Sequence, residues 1–507
     1  MPAQKQIKNA LVSVYYKDGL DDILSLLAKE GVRFFSTGGT QNFIESLGFN
    51  CTSVESLTSY PPILGGRVKT LHPKIFGGIL ARRDISSDLA QLDEYQIPEM
   101  DLVIVDLYPF EETLVSGASE SEIIEKIDIG GISLIRAAAK NFNDVLVVAS
   151  QNQYVALADL LKEQGARSTK EERKWFAREA FATTSSYDTS IFTYFDGGEN
   201  SVFRSAINDT KNLRYGENPH QKGQFFGKFD EAFEQLQGKE ISYNNLLDID
   251  AACQLIEEFS ETTFAILKHN NACGIASRDS VLESWQLALA ADPISAFGGV
   301  LITNGVVDKA AAEEINTIFF EIIIAPDYHT DALEVLMQKK NRIILIQKPF
   351  EQSSVQFRSV LNGVLLQDKD FSVQGVSDLN NITKKQATEA ELEDLVFANK
   401  LVKSTKSNAI ILVKNKQLLA SGVGQTSRVD ALNQAIDKAG NFGFKLEGAV
   451  MASDAFFPFP DCVEIACKAG IVAVVQPGGS IKDQLSIDYC DQHGLAMAMT
   501  GVRHFKH

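Results

Sequence analysis

Short apolar runs alternate with amphipathic stretches through the first part of the chain. Runs at 8–14, 32–35, 101–108 and 144–149 predict buried β-strands, and the stretch 19–30 has the spacing of a helix. Strands that alternate with helices are typical of a parallel sheet covered by helices. The sequence therefore predicts an α/β fold for this part of the chain.

Turn-forming residues interrupt the alternation at 185–189 and 196–199. Ser, Gly and Asp favour loops and end regular elements. The chain has 507 residues, more than one core usually supports, since domains run to about 100–200 residues. We therefore predict a domain boundary near 197–200, with one domain over 1–197 and a second region over 198–507.

The second region contains a weak internal repeat. Residues 265–270 resemble 411–416, and SerAlaPhe at 295–297 resembles AspAlaPhe at 454–456. Two diverged α/β halves would explain both resemblances, although matches this short also arise by chance. The charged stretch 384–395 predicts an exposed helix.

Composition argues against several classes of protein. Hydrophobic residues make up 45% of the chain, yet no run approaches the roughly 18 apolar residues of a membrane span, and the first residues lack a signal core. We therefore expect a cytoplasmic protein. The six cysteines form no CxxC pair and the seven histidines no HExxH-like pattern, so we expect neither a disulfide framework nor structural zinc.

The formal net charge of −18 argues against general binding of nucleic acid, which requires a basic surface. Anionic small molecules remain possible ligands if lysines, arginines and backbone amides gather in clefts. Candidate chemistry therefore has to be sought in local clusters of basic residues.

Three segments of the first domain have the composition of an anion site. SerThrGlyGlyThr (36–40) lies between a strand and a helical pattern, where backbone amides favour phosphate; a plain tight turn is the alternative. The segment 64–73 places Arg67 and Lys69 on one face, and 128–140 is a strong helix former. The alternative for Arg67 and Lys69, and for Arg136 and Lys140 of the second segment, is ordinary exposure on the protein surface.

In the second region, an apolar run ends on Lys268 and His269 and is followed by a turn of small residues. A strand end of this kind delivers a base to a cleft, and an imidazole can accept a proton at neutral pH. The adjacent ammonium can stabilise developing negative charge. A solvated strand end with an ordinary histidine is the alternative.

Further segments of similar density lie at 213–221, 292–299 and 453–459. These segments and the candidate segments described above resemble one family of bifunctional purine-biosynthesis enzymes. The resemblance extends over essentially the whole chain, from residues 13–19 to residues 503–507. These enzymes formylate aminoimidazole carboxamide ribotide (AICAR) with 10-formyltetrahydrofolate and close the ring of the product (FAICAR) to inosine monophosphate (IMP).

The resemblance implies a methylglyoxal-synthase-like cyclohydrolase domain over 1–197 and a transferase region of two cytidine-deaminase-like repeats over 198–507. It implies catalytic residues at Lys69, Tyr108, Asp128, Lys140, Lys268, His269 and Asn408. It implies nucleotide-binding residues in the cyclohydrolase at Lys17, Thr37, Gly38, Gly39, Thr40, Arg67, Val68, Thr70 and Ile129. In the transferase it implies nucleotide contacts at Arg214, Tyr215, Gly298, Glu321, Arg428, Phe456 and Arg503, and folate contacts at Val429, Asp461, Ser480 and Ile481.

In these expectations His269 is the base of formyl transfer, Lys268 is its electrostatic partner, and Asn408 contacts the formyl oxygen. Lys140 donates a proton in ring closure and Lys69 assists it. The resemblance further implies 10-formyltetrahydrofolate as co-substrate, a homodimer, and no redox cofactor or catalytic metal, with a monovalent cation left open.

The match departs from the family pattern at four positions, which are Tyr15, Tyr16, Asp106 and Ala272. Two other functions are alternatives to this one. A zinc nucleoside deaminase lacks its expected HxE and PCxxC ligands here. A nucleotide-binding protein without catalysis would not need Lys140, His269 and Asn408 together.

Overall fold

A computed structural model describes residues 4–64, 67–199 and 201–507. Gly65 and Gly66, within the predicted segment 64–73, and Asn200, at the predicted domain boundary, lie outside the described residues. The chain forms two compact units, and the division in sequence falls between Asn208 and Asp209.

The first unit is built around a parallel sheet. Its strands are β1 (Lys5–Gln6), β2 (Asn9–Ser13), β3 (Arg33–Ser36), β4 (Cys51–Ser53), β5 (Leu102–Val105), β6 (Leu146–Val148) and β7 (Arg167–Ser168). Its helices are α1 (Leu20–Lys29), α2 (Gly38–Ser46), α3 (Val54–Thr58), α4 (Pro73–Leu80), α5 (Ser86–Glu94), α6 (Phe110–Val115), α7 (Glu120–Glu125), α8 (Gly130–Lys140), α9 (Tyr154–Gln164) and α10 (Lys170–Asp196). The five-stranded sheet has the order β4-β3-β2-β5-β6, with every neighbouring pair parallel.

The predicted strands and helix of this unit are confirmed by β2, α1, β3, β5 and β6. Strand β5 is shorter than its apolar run, because the chain leaves the sheet at Asp106. Residues Leu102 to Val105 are buried throughout, as expected for a parallel strand covered by helices on both faces. The carboxyl ends of all five strands therefore lie at one edge of the sheet.

The second unit is built around a mixed sheet. Its strands are β8 (Thr210–Leu213), β9 (Gly223–Phe226), β10 (Phe233–Gln237), β11 (Thr263–Lys268), β12 (Asn271–Ser277), β13 (Val300–Thr303), β14 (Ile322–Ala325), β15 (Ile343–Gln347), β16 (Val355–Val360), β17 (Gly363–Asp368), β18 (Asn380–Asn381), β19 (Ile410–Lys414), β20 (Gln417–Gly422), β21 (Val450–Ser453), β22 (Ala473–Gln476) and β23 (Ala496–Met499). Its helices are α11 (Phe229–Ala232), α12 (Tyr243–Ile256), α13 (Val281–Ala291), α14 (Pro293–Ala296), α15 (Lys309–Ile315), α16 (Thr330–Leu336), α17 (Glu389–Lys403), α18 (Arg428–Asn441), α19 (Asp461–Lys468) and α20 (Asp483–His493).

The twelve-stranded sheet of this unit consists of two matching halves. Outward from the centre, one half runs β12-β11-β13-β14-β15-β10 and the other runs β20-β19-β21-β22-β23-β18. In each half an antiparallel hairpin pairs antiparallel with the next strand, two parallel pairings follow, and the outermost strand is antiparallel again. The prediction of two α/β repeats is confirmed.

Only one of the two short resemblances reflects this duplication. Residues 265–270 and 411–416 occupy equivalent places, at the ends of β11 and β19 and in the turns that follow. The resemblance of 295–297 to 454–456 was wrong as a sign of the repeat. The first tripeptide precedes β13, whereas the second follows the equivalent strand β21.

The charged stretch at 384–395 also differs from its prediction. The helix there, α17, begins at Glu389 and continues to Lys403, and it buries Leu395, Phe397 and Ala398 in the core. The predicted stretch covers only the charged first turns of α17, and the apolar face of the helix lies mostly beyond it. Among the described residues, no helix is long and apolar enough to cross a membrane.

Candidate functional site

Loops that follow β2 and β3 meet at the carboxyl edge of the first unit's sheet. The Thr40 hydroxyl donates to the carbonyl of Val14 (2.9 Å) and accepts from the Val14 amide (3.2 Å). The candidate glycine segment therefore lies beside the loop that carries Lys17. The Lys17 ammonium donates to the carbonyls of Val14 and Tyr15, and burial lowers its pKa.

Three of the positions that depart from the family pattern act together in this loop. The Asp106 carboxylate accepts the backbone N–H groups of Tyr15 and Tyr16, and the second of these bonds is 3.0 Å long. Burial raises the pKa of Asp106, and the two amides act in the opposite direction. The Tyr15 ring packs edge-on against Tyr108, with the Lys126 ammonium 5.3 Å from the Tyr15 ring centre. Tyr15 and Tyr16 thus form an aromatic border with Tyr108 beside the candidate site, and Asp106 holds the backbone of the first two.

Helix α2 begins at Gly38, so the amides of its first turn have no partners within the helix. The hydroxyl of its N-cap residue, Thr37, donates a hydrogen bond to Glu55 Oε1 (2.5 Å). A Cβ atom built on Gly38 would lie 3.5 Å from Lys69 Nζ, which places this ammonium over the start of the helix. Free amides together with a cation are the combination that binds phosphate.

The next residue, Thr70, reaches the start of a second helix. A Cβ atom built on Gly130, the first residue of α8, would lie 3.4 Å from Thr70 Oγ1. Asp128 is buried beside this point, and its carboxylate accepts backbone N–H groups from Gly131 (2.6 Å), Ile132 and Tyr108. The segment containing Lys69 and Thr70 therefore joins the starts of α2 and α8.

Burial shifts the titration of the two acids closest to this junction. It raises the pKa of Asp128, with the amide hydrogen bonds opposing the change. It also raises the pKa of Tyr108, and the negative charge of Asp128 adds to that rise. A phenol in this environment stays protonated and can donate a hydrogen bond at neutral pH.

The other nucleotide candidates of this unit are more exposed. Arg67 forms an ion pair with Glu125, in which the side chains are 69% and 57% exposed. Such a pair is weak and can give way to a phosphate. Val68 forms an isolated bridge with Ile63, and Ile129 precedes α8 with most of its side chain in solvent.

Lys140 lies apart from these residues. It is the last residue of α8, and at 1.5 Å per residue it stands about 15 Å along the axis from Gly130. There it lines a cavity of about 370 Å³ with Phe76, Leu80, Arg136, Ala137 and Phe181. Within one chain, the structure therefore brings Lys69, Tyr108 and Asp128 together without Lys140.

In the second unit, His269 and Asn270 form the two-residue turn between β11 and β12. Their φ angles are 52° and 65°, the left-handed values that such a hairpin turn requires. Asn tolerates this conformation, whereas a histidine in it is uncommon. The turn presents His269 in solvent at the end of the strand.

Asn271 connects this turn to the segment that carries Asn408. Its Nδ2 donates to the His269 carbonyl (2.8 Å), and its Oδ1 accepts the Lys406 amide (3.0 Å). Asn408 Nδ2 donates to the carbonyl of Gln425 (2.9 Å). Ala272, the fourth departure, pairs with Leu267 across the hairpin.

Lys268 lies beside two of the nucleotide candidates. Its Nζ donates to the Phe297 carbonyl (2.7 Å), next to Gly298. The Gly298 amide donates to the carbonyl of Phe319 (2.8 Å), and Glu321 lies two residues further along the chain. Glu321 is itself paired with Lys239 at 2.6 Å.

The Lys268 contact has a counterpart in the other repeat. Lys414, which ends β19, donates to the Glu447 carbonyl (2.6 Å). Phe297 and Glu447 both lie three residues before equivalent strands, β13 and β21. This lysine contact is therefore common to both repeats. The two turns differ in that the first has His269 where the second has Asn415.

The C-terminal residues join a further set of candidates. Ser407 N donates to the Lys506 carbonyl (2.9 Å), and His504 N donates to the Asp454 carbonyl (3.1 Å). Asp454, two residues before Phe456, is buried and lies 3.3 Å from Arg428. The guanidinium of Arg503 stacks on Phe505 at 4.4 Å. Arg428, Phe456 and Arg503 are thus linked to the Asn408 segment.

Among the described residues, no polar contact joins the remaining candidates to His269. Val429 follows Arg428 in α18, and Asp461 begins α19, which packs on α18. The Ser480 amide donates to Asp483 (3.0 Å), and Ile481 is fully exposed. Arg214 stacks over Tyr215, with 5.6 Å between the guanidinium and the ring centre.

Sequence reasoning missed several residues that hold these sites. The Tyr187 hydroxyl accepts the Asp128 amide (2.9 Å), and Asp248 accepts the Asn270 amide (2.7 Å). Extending the repeat comparison back to α12 and α17 could have found Asp248, because both helices carry Asp at their sixth residue.

Burial raises the pKa of the Cys273 thiol to about 12, so it is not a reactive thiolate. The described residues contain no cluster of three potential metal ligands.

Comparison with known proteins covers both units. A family model described as "AICARFT/IMPCHase bienzyme" matches residues 138–438, and one described as "MGS-like domain" matches 19–133. A "Bifunctional purine biosynthesis protein PurH" from Bacteroides thetaiotaomicron is 69% identical over the full length of both chains. Proteins of the same name from Aquifex aeolicus and Acetivibrio thermocellus are each 44% identical, covering 98% and 99% of this chain and all of their own. The chain therefore belongs to the AICARFT/IMPCHase bienzyme family.

Proposed function

We propose that this chain catalyses the last two steps of IMP synthesis, with formyl transfer in the second unit and ring closure in the first. The observation that carries the proposal is the 69% identity, over the whole of both chains, to a protein named as a bifunctional purine-biosynthesis enzyme. The two separate groups of residues around Lys69 and His269 agree with two activities.

In formyl transfer, the AICAR amine is a poor nucleophile because its lone pair is delocalised into the ring. His269 accepts a proton as this nitrogen attacks the formyl carbon of 10-formyltetrahydrofolate. Lys268 and the Asn408 amide stabilise the oxyanion, each exchanging a carbonyl partner for substrate. The bond from formyl carbon to N10 then breaks, N10 receives the proton, and FAICAR and tetrahydrofolate leave.

In ring closure, the carboxamide nitrogen of FAICAR attacks the formyl carbon of the same molecule, so positioning supplies much of the rate. Free amides of α2 and Lys17 hold the phosphate. Lys69 polarises the formyl oxygen and protonates it while Asp128 accepts one carboxamide proton, which gives a cyclic carbinolamine. The hydroxyl then takes a second proton from Lys69 and leaves as water, as Asp128 accepts the proton of the former formamide nitrogen. Solvent passes each proton from Asp128 back to Lys69. Tyr108 donates a hydrogen bond, and the part of Lys140 stays a prediction.

Steady production of IMP from AICAR and 10-formyltetrahydrofolate is the experiment that tests this function. We expect the purified chain to consume both substrates and to release IMP and tetrahydrofolate in equal amounts, without added metal or redox cofactor. Deamination of a nucleoside, or nucleotide binding without turnover, would replace this proposal by one of the two alternatives.

The proposal includes a homodimer, which the exposed β16–β17 hairpin supports. A two-stranded hairpin is marginally stable by itself, and this one presents apolar side chains to solvent. Leu361 at its tip is fully exposed, and Leu365 is 60% exposed. An exposed apolar hairpin of this kind is typical of an association surface.

We expect formyl-transfer activity to fall on dilution as the dimer dissociates, while ring closure persists. Leu361→Glu should move this fall to higher protein concentration, because burying a carboxylate in the association surface is unfavourable. Val155→Glu, at an exposed position of the first unit, is the matched control. Sedimentation velocity and both assays over the same concentrations measure the effect. A fully active monomer would contradict it.

A further inference from the structure

An acidic residue of α12, Asp248, forms a hydrogen bond with the backbone of the turn that carries His269. Asp248 Oδ1 accepts the backbone N–H of Asn270 at 2.7 Å. Burial raises the pKa of Asp248, while the Asn270 amide and the charge of His269 act in the opposite direction, so both turn residues lie close to the carboxylate. A hydrogen bond to a carboxylate is stronger than one between neutral groups.

The second repeat contains a similar arrangement, with one more hydrogen bond. Asp394 accepts the backbone N–H groups of Asn415 (2.7 Å) and Lys416 (2.6 Å), which form the turn between β19 and β20. Asp248 and Asp394 are each the sixth residue of the helix that precedes the hairpin, α12 or α17. An acidic clamp on a left-handed turn is therefore a feature of both repeats.

The two turns differ in what they hold. Asn415 stands where the first repeat has His269, and both residues have positive φ, at 54° and 52°. Asparagine adopts this conformation readily, whereas histidine is strained in it and needs surrounding contacts to keep it there. The hydrogen bond to the acidic residue is consequently more important in the first repeat, because a displaced turn would also displace the imidazole.

We propose that Asp248 is a positioning residue for formyl transfer, which holds the His269–Asn270 turn so that the imidazole faces the substrate amine. The inference rests on the proposed function, in which His269 is the base. Asp248 acts on the backbone of the turn and takes no proton from the substrate. Its counterpart Asp394 provides a matched control, because the turn that Asp394 holds carries none of the proposed catalytic groups.

Asp248→Ala is expected to lower kcat for formyl transfer by about tenfold or more, since small displacements of a reacting group are costly, while the KM for AICAR changes little. Asp248→Asn retains an acceptor for the Asn270 amide and should recover part of the rate. Asp394→Ala should lower thermal stability at least as much, because Asp394 accepts two turn amides, and should leave kcat near the wild-type value. Hydrogen exchange at Asn270 should quicken in Asp248→Ala alone.

A double-variant cycle separates this inference from the base assignment. If Asp248 acts through His269, Asp248→Ala should cause no further loss of formyl transfer when it is added to His269→Ala. An inactive His269→Ala together with a normal Asp248→Ala would overturn the positioning role and leave the proposed function standing. Equal losses from Asp248→Ala in both backgrounds would also overturn it. An active His269→Ala would remove the base assignment, and the positioning role with it.

Discussion

Replacement of His269 by alanine is expected to lower kcat for formyl transfer by at least about 100-fold, while supplied FAICAR still closes to IMP at the wild-type rate. The reason is that formyl transfer loses the group that takes the amine proton. His269 and the residues of the ring-closure group belong to different compact units. The two steps are measured separately by absorbance, with circular dichroism as the check on folding.

Asn415→Ala is the matched control, because Asn415 occupies the same place in the second hairpin and shares its left-handed backbone. This variant should disturb its turn about as much, without loss of formyl transfer. Equal losses in the two variants would mean that the hairpin matters only as structure. A folded His269→Ala with near-normal formyl transfer would end the assignment of His269 as the base.

Replacement of Lys69 by alanine is expected to have the opposite effect, with kcat for ring closure falling by about 100-fold and FAICAR accumulating from AICAR. The ammonium of Lys69 lies over the start of α2. In the proposed mechanism it polarises the formyl oxygen of a substrate whose phosphate binds to the free amides of that helix. Formyl transfer should be unchanged. Lys162→Ala, at an exposed position on α9, controls for loss of a positive charge.

Lys140→Ala belongs in the same comparison. The family resemblance predicts that this variant loses ring closure as well. However, the distance of about 15 Å along α8 leads us to expect a smaller loss than in Lys69→Ala. A larger loss in Lys140→Ala would contradict the assignment of Lys69 as the principal proton donor.

The sequence pattern predicted the parallel sheet of the first unit because each buried strand is a continuous apolar run with turn residues at its ends. It also indicated the duplication through 265–270 and 411–416, since hairpin turns impose local residue preferences. SerAlaPhe at 295–297 misled because a tripeptide contains too little information to mark an equivalent place in the fold.

Contacts between residues distant in sequence could not be predicted in the same way. Asp106 binds the amide of Tyr16 across 90 residues, and Tyr187 binds Asp128 across 59. Helical periodicity places Lys140 on a face of α8, but it does not say which end of α8 adjoins the site. That information comes from tertiary contacts such as Thr70 with Gly130.

One chain is expected to carry two separable chemistries, and a mixture of two variants is the sharpest experiment on that division. His269→Ala and Lys69→Ala, each supplied with AICAR and 10-formyltetrahydrofolate, should form almost no IMP. An equal mixture should form IMP after a lag, because FAICAR made by Lys69→Ala is closed by His269→Ala. A mixture as inactive as its components, although both variants are folded, would contradict the division of the two steps between the two units.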